Sequence, residues 1–211
     1  HHLQSGGVIV NASRRVTIAN SRLENAQNRG GGGNGYLFEV RQSNEVLIRD
    51  SVAMNGRHNF VQNWDFGTSG CVFLRTHSEG GEAWGDQTGS FTPPGMSEFH
   101  HALAMGNLID SSTAEDGWAA VNRLGWSSGA GHTATETVFW NTRGGGSLTS
   151  LQFGRGYVIG TQDLDVRTVV TEVLDSVGTA PEDWVEGLGQ ATTLVPQSLY
   201  EDQLSRRTLS P

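Results

Sequence analysis

The chain has 211 residues, which suits one compact domain, and a formal net charge of −8. All 14 Lys-or-Arg positions hold arginine, which excludes Schiff-base and P-loop lysine chemistry, and the acidic balance argues against a nucleic-acid-binding surface. The single cysteine, Cys71, excludes an internal disulfide, and no apolar run approaches the ~20 residues of a membrane helix.

The first part of the chain repeats itself. Residues 13–21 (SRRVTIANS) align with residues 43–51 (SNEVLIRDS) at an offset of 30, and residues 69–77 form a looser third copy at a further offset of 26. The apolar runs in these copies are short, often β-branched and bounded by Gly, Asn, Asp and Ser, which predicts strands. The same short apolar core returns later in the chain, at residues 102–107, 137–141 and 157–160.

A second short apolar run precedes most of these copies. These runs occupy residues 7–10, 36–40, 60–64, 118–121 and 147–153. Two or three short strands in every ~25–30 residues, with polar corners, predict an all-β fold, a parallel β-helix (solenoid) of about five to six coils.

Stacked coils place like residues over like, because one coil cannot bury its inward side chains alone. The alignment therefore predicts two apolar ladders and two polar turn ladders. The apolar ladders are Val16–Val46–Val72 and Ile18–Ile48–Leu74, and the polar pairs are Asn20–Asp50 and Asn25–Asn55.

Three stretches interrupt the period, and long loops on a rigid scaffold are where binding sites usually lie. They span residues 28–35, 79–97 and 123–135. We assign residues 1–162 to the parallel β-helix and residues 163–211 to a C-terminal capping segment. Within that cap, Ser198 as N-cap and Glu201 at the third helical position predict a short helix.

Several short sequence segments resemble those of the secreted bacterial, right-handed parallel β-helix proteins of the pectin-lyase-like superfamily. The resemblance covers roughly residues 7–160 in pattern and includes Gly106-Asn107-Leu108-Ile109-Asp110, Gly131-His132, Val138-Phe139-Trp140-Asn141 and, in the tail, Ser198-Leu199-Tyr200-Glu201-Asp202-Gln203-Leu204. It implies a right-handed solenoid, an extracellular or cell-surface location, and a polysaccharide as substrate or ligand. The lyases of that superfamily use an Arg or Lys base with calcium-binding carboxylates. Its hydrolases carry Asn-Thr-Asp, Asp-Asp and Gly-His-Gly segments, of which only Gly131-His132-Thr133 echoes the last, so neither active site transfers directly.

The densest polar region runs from residue 55 to residue 77. The offset of 26 aligns Arg49 with Arg75, and two stacked guanidiniums would repel each other unless Asp50, Glu79 or an anionic ligand lies between them. A lyase would use Arg75 or His77 as the base beside a uronate. A hydrolase would use Asp65 as the acid, together with a second carboxylate, Glu79 or Glu82.

The candidate site residues follow from this region and from the loops beside it. The catalytic candidates are His58, Asp65, Arg75 and His77, with Glu79 or Glu82 as the second carboxylate. The substrate-binding candidates are Arg49, Trp64, Trp84, His100, His101 and Trp126, whose tryptophans offer apolar faces for sugar stacking.

No metal site is predicted. His100 and His101 are neighbours that point to opposite sides of a strand, and His58 with His77 would need a third ligand. Calcium stays open as a cofactor, because ligation by Asp and backbone oxygens leaves no spacing signal.

The sequence therefore supports two functional hypotheses. The first is a secreted carbohydrate-active module, of lyase or hydrolase type, that acts on or binds an extracellular polysaccharide. The second is a non-catalytic scaffold or adhesin domain of a larger surface protein. Both expect no nucleic-acid partner and no membrane insertion, and both allow further upstream coils of a longer chain.

Overall fold

The structure is a computed structural model that describes residues 2–30, 32–64, 66–82, 95–168 and 182–209. Its strands, in chain order, are β1 (Gly6–Asn11), β2 (Thr17–Ala19), β3 (Arg22–Glu24), β4 (Tyr36–Arg41), β5 (Leu47–Arg49), β6 (Val52–Met54), β7 (His58–Gln62), β8 (Val72–Leu74), β9 (His77–Glu79), β10 (Ser97–Phe99), β11 (Ala104–Met105), β12 (Leu108–Asp110), β13 (Thr113–Ala114), β14 (Trp118–Ala120), β15 (Ala134–Thr135), β16 (Val138–Arg143), β17 (Ser147–Ser150), β18 (Tyr157–Gln162), β19 (Asp165–Arg167) and β20 (Trp184–Glu186). Its helical elements are α1 (Trp126–Gly129), a 3-10 turn (Ala191–Thr193) and α2 (Leu199–Leu209).

All sheets in the described part of the chain are parallel. A seven-stranded sheet, called sheet 1 below, has the order β1-β4-β7-β10-β14-β17-β19. A second sheet joins the ladders β2-β5-β8-β12 and β3-β6-β9-β13 through the long strand β16, and β18 and β20 extend it; β11 and β15 form a small third sheet. Each strand pairs with its counterpart in the next repeat, so the predicted all-β parallel fold is confirmed and the arrangement is compatible with a parallel β-helix.

The core is a ladder of equivalent apolar residues that runs through the second sheet. Ile18 pairs with Ile48, as predicted, and Ile48 pairs with Phe73. The predicted third members of the two apolar ladders, Leu74 and Val72, are therefore both wrong by one residue. Cys71 is buried at the position equivalent to Val46, so the offset between the second and third repeats is 25 rather than 26. The ladder continues through Ile109, Phe139 and Val158.

The corners of the repeats use left-handed backbone at equivalent positions. This conformation is uncommon outside glycine but is more accessible to Asn and Asp. One such row with positive φ consists of Asn20, Asp50, Arg75, Ser111, Asn141 and Gly160. In another row the Asn55 side-chain amide donates to Asn25 Oδ1 at 3.0 Å, which confirms the predicted stacking of these two residues.

The ladders continue past residue 162. β19 pairs with β17 and β20 pairs with β18, so sheet 1 has seven strands where five to six coils were predicted. The predicted helix in the tail is confirmed as α2, and its cap is the Ser198 hydroxyl, which accepts a bond from the Glu201 backbone N–H at 3.2 Å. Among the described helices, none has the length and apolar character needed to cross a membrane.

Candidate functional site

A group of buried polar side chains lies at the middle of sheet 1. His58 begins β7, Glu98 is the central residue of β10, and His100 follows β10 by one residue. Because side chains alternate along a strand, Glu98 and His100 project to the same side. The three residues are called the His–Glu–His cluster below, and each is at most 5% exposed.

The cluster converges on one carboxylate. His58 Nε2 lies 3.1 Å from Glu98 Oε1, and His100 Nδ1 contacts the same oxygen. The other oxygen, Oε2, accepts a bond from Arg123 Nη1 at 2.7 Å. On its far side His58 Nδ1 lies 2.7 Å from the backbone carbonyl of Met96. The three facing donor atoms all lie within 4.8 Å of one another.

Burial sets the charges of the cluster. It lowers the pKa of His58 to about 4, so this imidazole is neutral at pH 7. Burial also acts to raise the pKa of Glu98, but attraction to His58, His100 and Arg123 outweighs it, and the pKa of Glu98 falls below its ordinary range. The result is a buried, ionised carboxylate with a guanidinium at one oxygen and two imidazole nitrogens at the other.

Exposed aromatic side chains line one edge of sheet 1. They follow β7, β14 and β17, and the carboxyl ends of parallel strands meet at the same edge. Trp64 stacks on His101 with ring centroids 4.6 Å apart and planes at 20°. The row, called the aromatic edge below, consists of Trp64, Phe66, Trp126 and Phe153, with exposed fractions of 39%, 76%, 62% and 53%.

A polar depression opens in the same row of connections. Its volume is about 460 Å³, and its lining residues are Arg14, Asn44, Glu45, Ser69 and Gly70. The Glu45 carboxylate accepts bonds from both Arg14 and Arg15, so this row of connections carries paired charges as well as aromatic rings.

The predicted arginine pair lies elsewhere, in the second sheet. The alignment of Arg49 with Arg75 is wrong, because β5 and β8 pair with Arg49 opposite Leu74. Arg75 stacks instead on Asp50, whose carboxylate also accepts from Arg49 at 2.6 Å, so the acidic group expected between the two guanidiniums is present.

Arg75 is held by two carboxylates. Its Nε donates to Asp50 and its Nη1 donates to Glu201 of α2, both at 2.6 Å. These bonds raise the pKa of Arg75, which is the opposite of what a proton-abstracting base requires. His77 lies in β9, where Nε2 is 3.2 Å from Glu79 Oε2, and so belongs to a different sheet from His58.

The structure brings together three pairs of the predicted binding and catalytic residues in ring contacts. His58 and His100 meet in the His–Glu–His cluster, Trp64 meets His101 at the aromatic edge, and the rings of His100 and His101 lie 4.9 Å apart between centroids. Trp126 stands exposed on α1, whereas Asp65 and Trp84 lie outside the described residues.

Sequence reasoning missed Glu98 and Arg123. The alternation in Ser97-Glu98-Phe99-His100 is the signal that could have placed Glu98 beside His100, since these residues are two apart on a strand. Arg123, which donates to Glu98, lies 25 residues further along the chain, and no local sequence pattern connects the two residues.

Comparison with known proteins gives no assignment: no protein-family model, curated protein or solved structure matches the chain. The functional argument therefore rests on the residues and the geometry above.

Proposed function

We propose that the chain is a right-handed parallel β-helix domain of an extracellular or cell-surface protein, and that it binds a polysaccharide along the aromatic edge. The observation that carries the proposal is the placement of exposed aromatic rings. Among the described residues, four of the five exposed Trp and Phe side chains lie along this single edge. The fifth is Trp184, in β20 of the second sheet.

The strand ladders support the β-helix. Sheet 1 and the second sheet are each built from one strand or strand pair per repeat, joined in parallel register to the next repeat. Connections between parallel strands of one sheet are right-handed in about 98% of cases, which is the basis for the proposed hand.

The aromatic edge has the chemistry that sugar rings require. Large exposed apolar patches mark interaction sites, and flat Trp and Phe faces pack against the C–H faces of pyranoses, while neighbouring polar groups bond the hydroxyls. Because the rings follow three different strands of sheet 1, they suit an extended chain better than a small ligand. Arginines in the same row of connections, such as Arg14 beside Glu45, offer guanidinium groups that can bind the carboxylates of an acidic polysaccharide.

Binding is better supported than cleavage. A lyase or hydrolase needs a base or a pair of carboxylates converging on a groove. Of the catalytic candidates, Arg75 is committed to ion pairs with Asp50 and Glu201, and His58 is buried against Glu98. The proposal therefore commits to recognition of the polysaccharide.

The test is affinity for a panel of neutral and acidic polysaccharides, measured for the wild type and for Trp126→Ala, Trp64→Ala and Phe153→Ala. Each substitution removes an exposed ring, so we expect about a tenfold loss per ring, equivalent to ~1.4 kcal/mol. Trp184→Ala is the matched control, because Trp184 is exposed to a similar degree, 51%, but belongs to β20 of the second sheet.

The outcomes separate the two functions. Retained affinity in Trp184→Ala beside losses in the edge variants supports the proposal. Absence of binding across the panel by folded protein would contradict it and would favour the scaffold or adhesin function.

A further inference from the structure

In the His–Glu–His cluster two imidazole nitrogens and one carboxylate oxygen converge inside the protein, and each of the three residues is at most 5% exposed. The Met96 carbonyl can only accept, so at 2.7 Å from it His58 Nδ1 must carry the ring proton. The other nitrogen, Nε2, is then the one that can bind a metal ion, because an imidazole ligates through the nitrogen that carries no proton. Nε2 faces Glu98 Oε1 at 3.1 Å.

Buried ionisable side chains that converge in this way are paired with one another or coordinate a metal ion. Oε1 is also in contact with His100 Nδ1, so two imidazole nitrogens point at the same carboxylate oxygen. We propose that His58, Glu98 and His100 form a binding site for one divalent transition-metal ion of the zinc class.

The separation of His58 from Glu98 matches such an ion, whereas His100 Nδ1 lies closer to Glu98 Oε1 than two ligands of one ion do, so an ion would move these two side chains apart. Zinc binds imidazole nitrogen and carboxylate oxygen at ~2.0–2.2 Å, so donor atoms around a tetrahedral ion lie about 3.3 Å apart. The contact of 3.1 Å between His58 and Glu98 is close to that value, and all three donors lie within 4.8 Å of one another. Two imidazoles and one carboxylate favour Zn²⁺ or a neighbouring transition metal over Ca²⁺ and Mg²⁺, which prefer all-oxygen sites.

The residues around the cluster hold the ligands in place. The Met96 carbonyl fixes the His58 ring with Nε2 directed inward, and Arg123 binds Oε2 so that Oε1 remains for the ion. Outer partners of this kind orient metal ligands in known sites. Three protein donors leave a coordination position for water or for an oxygen of a bound molecule.

The experiment uses the whole chain, stripped of metal with a chelator and then titrated with Zn²⁺ against a chromophoric competitor. We expect one equivalent to bind, with affinity at least ~100-fold lower in Glu98→Gln and in His100→Gln. The matched control is Glu39→Gln. Glu39 is equally buried and paired with Arg41, and it shares the ladder position of Glu98 through Val61, but it has no place in the cluster.

A measurement on the wild type alone tests the site even where a variant fails to fold. X-ray absorption of the zinc-loaded wild type should show two imidazole nitrogens and a carboxylate oxygen at ~2.0–2.2 Å. Folded wild-type protein that takes up less than one-tenth of an equivalent overturns the proposal. Equal losses in Glu39→Gln and Glu98→Gln overturn it as well. The site does not depend on polysaccharide binding, so either proposal can fail without the other.

Discussion

Phe73 offers the sharpest test of the core, because its side chain is fully buried in the ladder between Ile48 and Ile109. Its ring makes edge-to-face contacts with Phe60 at 6.0 Å and Trp118 at 5.4 Å between centroids. Phe73→Ala would leave a cavity that joins the two sheets, since Phe60 and Trp118 belong to sheet 1 and Phe73 to the second sheet.

The cost combines lost burial and the cavity. Replacing a buried Phe by Ala destabilises proteins by ~3–5 kcal/mol. For a chain of this length ~1 kcal/mol corresponds to ~2–4 °C in Tm, so we expect Tm to fall by about 6–20 °C. Phe153→Ala is the matched control, because Phe153 is 53% exposed and its loss should cost less than ~1 kcal/mol.

The assay is urea unfolding followed by circular dichroism and by tryptophan fluorescence, which reports on Trp118 beside the cavity. A loss below ~1.5 kcal/mol in Phe73→Ala, or a loss equal to that of Phe153→Ala, would refute the placement of Phe73 in a packed core.

Other features of the structure give further predictions. Asp110→Ala removes the carboxylate that accepts bonds from the Ser198 hydroxyl at 2.8 Å and from the Tyr200 backbone N–H at 2.7 Å, at the start of α2. The free energy of unfolding in urea should fall by ~2–4 kcal/mol. An unchanged urea midpoint would contradict the docking of α2. Gly117 has φ +96 and a Cβ there would overlap the Ser147 carbonyl oxygen, so Gly117→Ala should lower stability by more than ~2 kcal/mol, whereas Gly125→Ala, which meets no atom within 4 Å, should change it by less than ~1 kcal/mol. Burial raises the pKa of the Cys71 thiol to about 11, so native protein should not react with a thiol reagent at pH 8 until denaturant is added, and rapid native labelling would contradict its burial.

Much of the fold could be predicted from the repeats, because like residues stack on like. The match of Ile18 to Ile48 and of Asn25 to Asn55 was sufficient to place neighbouring strands in register. The register of the third repeat was not predictable from side-chain similarity alone. Cys71 occupies the core position that valine holds in the first two repeats, and this position gives an offset of 25 rather than 26. Arg75 therefore lies beside Asp50 and not beside Arg49.

The site was predicted only in part, because its members belong to repeats of unequal length. His58 and Glu98 come from successive strands of sheet 1, and Arg123 lies in the connection that follows the next strand, β14. The step from β7 to β10 contains the long excursion, so no fixed period links His58 to Glu98. The continuation of the ladders through β19 and β20 was missed for a different reason. Residues 163–167 and 184–186 lack the β-branched runs of the earlier repeats.

The most direct measurement of the central claim is the affinity of the double variant Trp64→Ala/Trp126→Ala for the polysaccharide that the wild type binds most tightly. The two rings lie in different repeats, so their losses should add to about 100-fold, while Trp184→Ala should stay within about twofold of the wild type. A double variant that binds as tightly as the wild type, with an unchanged circular dichroism spectrum, would contradict recognition along the aromatic edge.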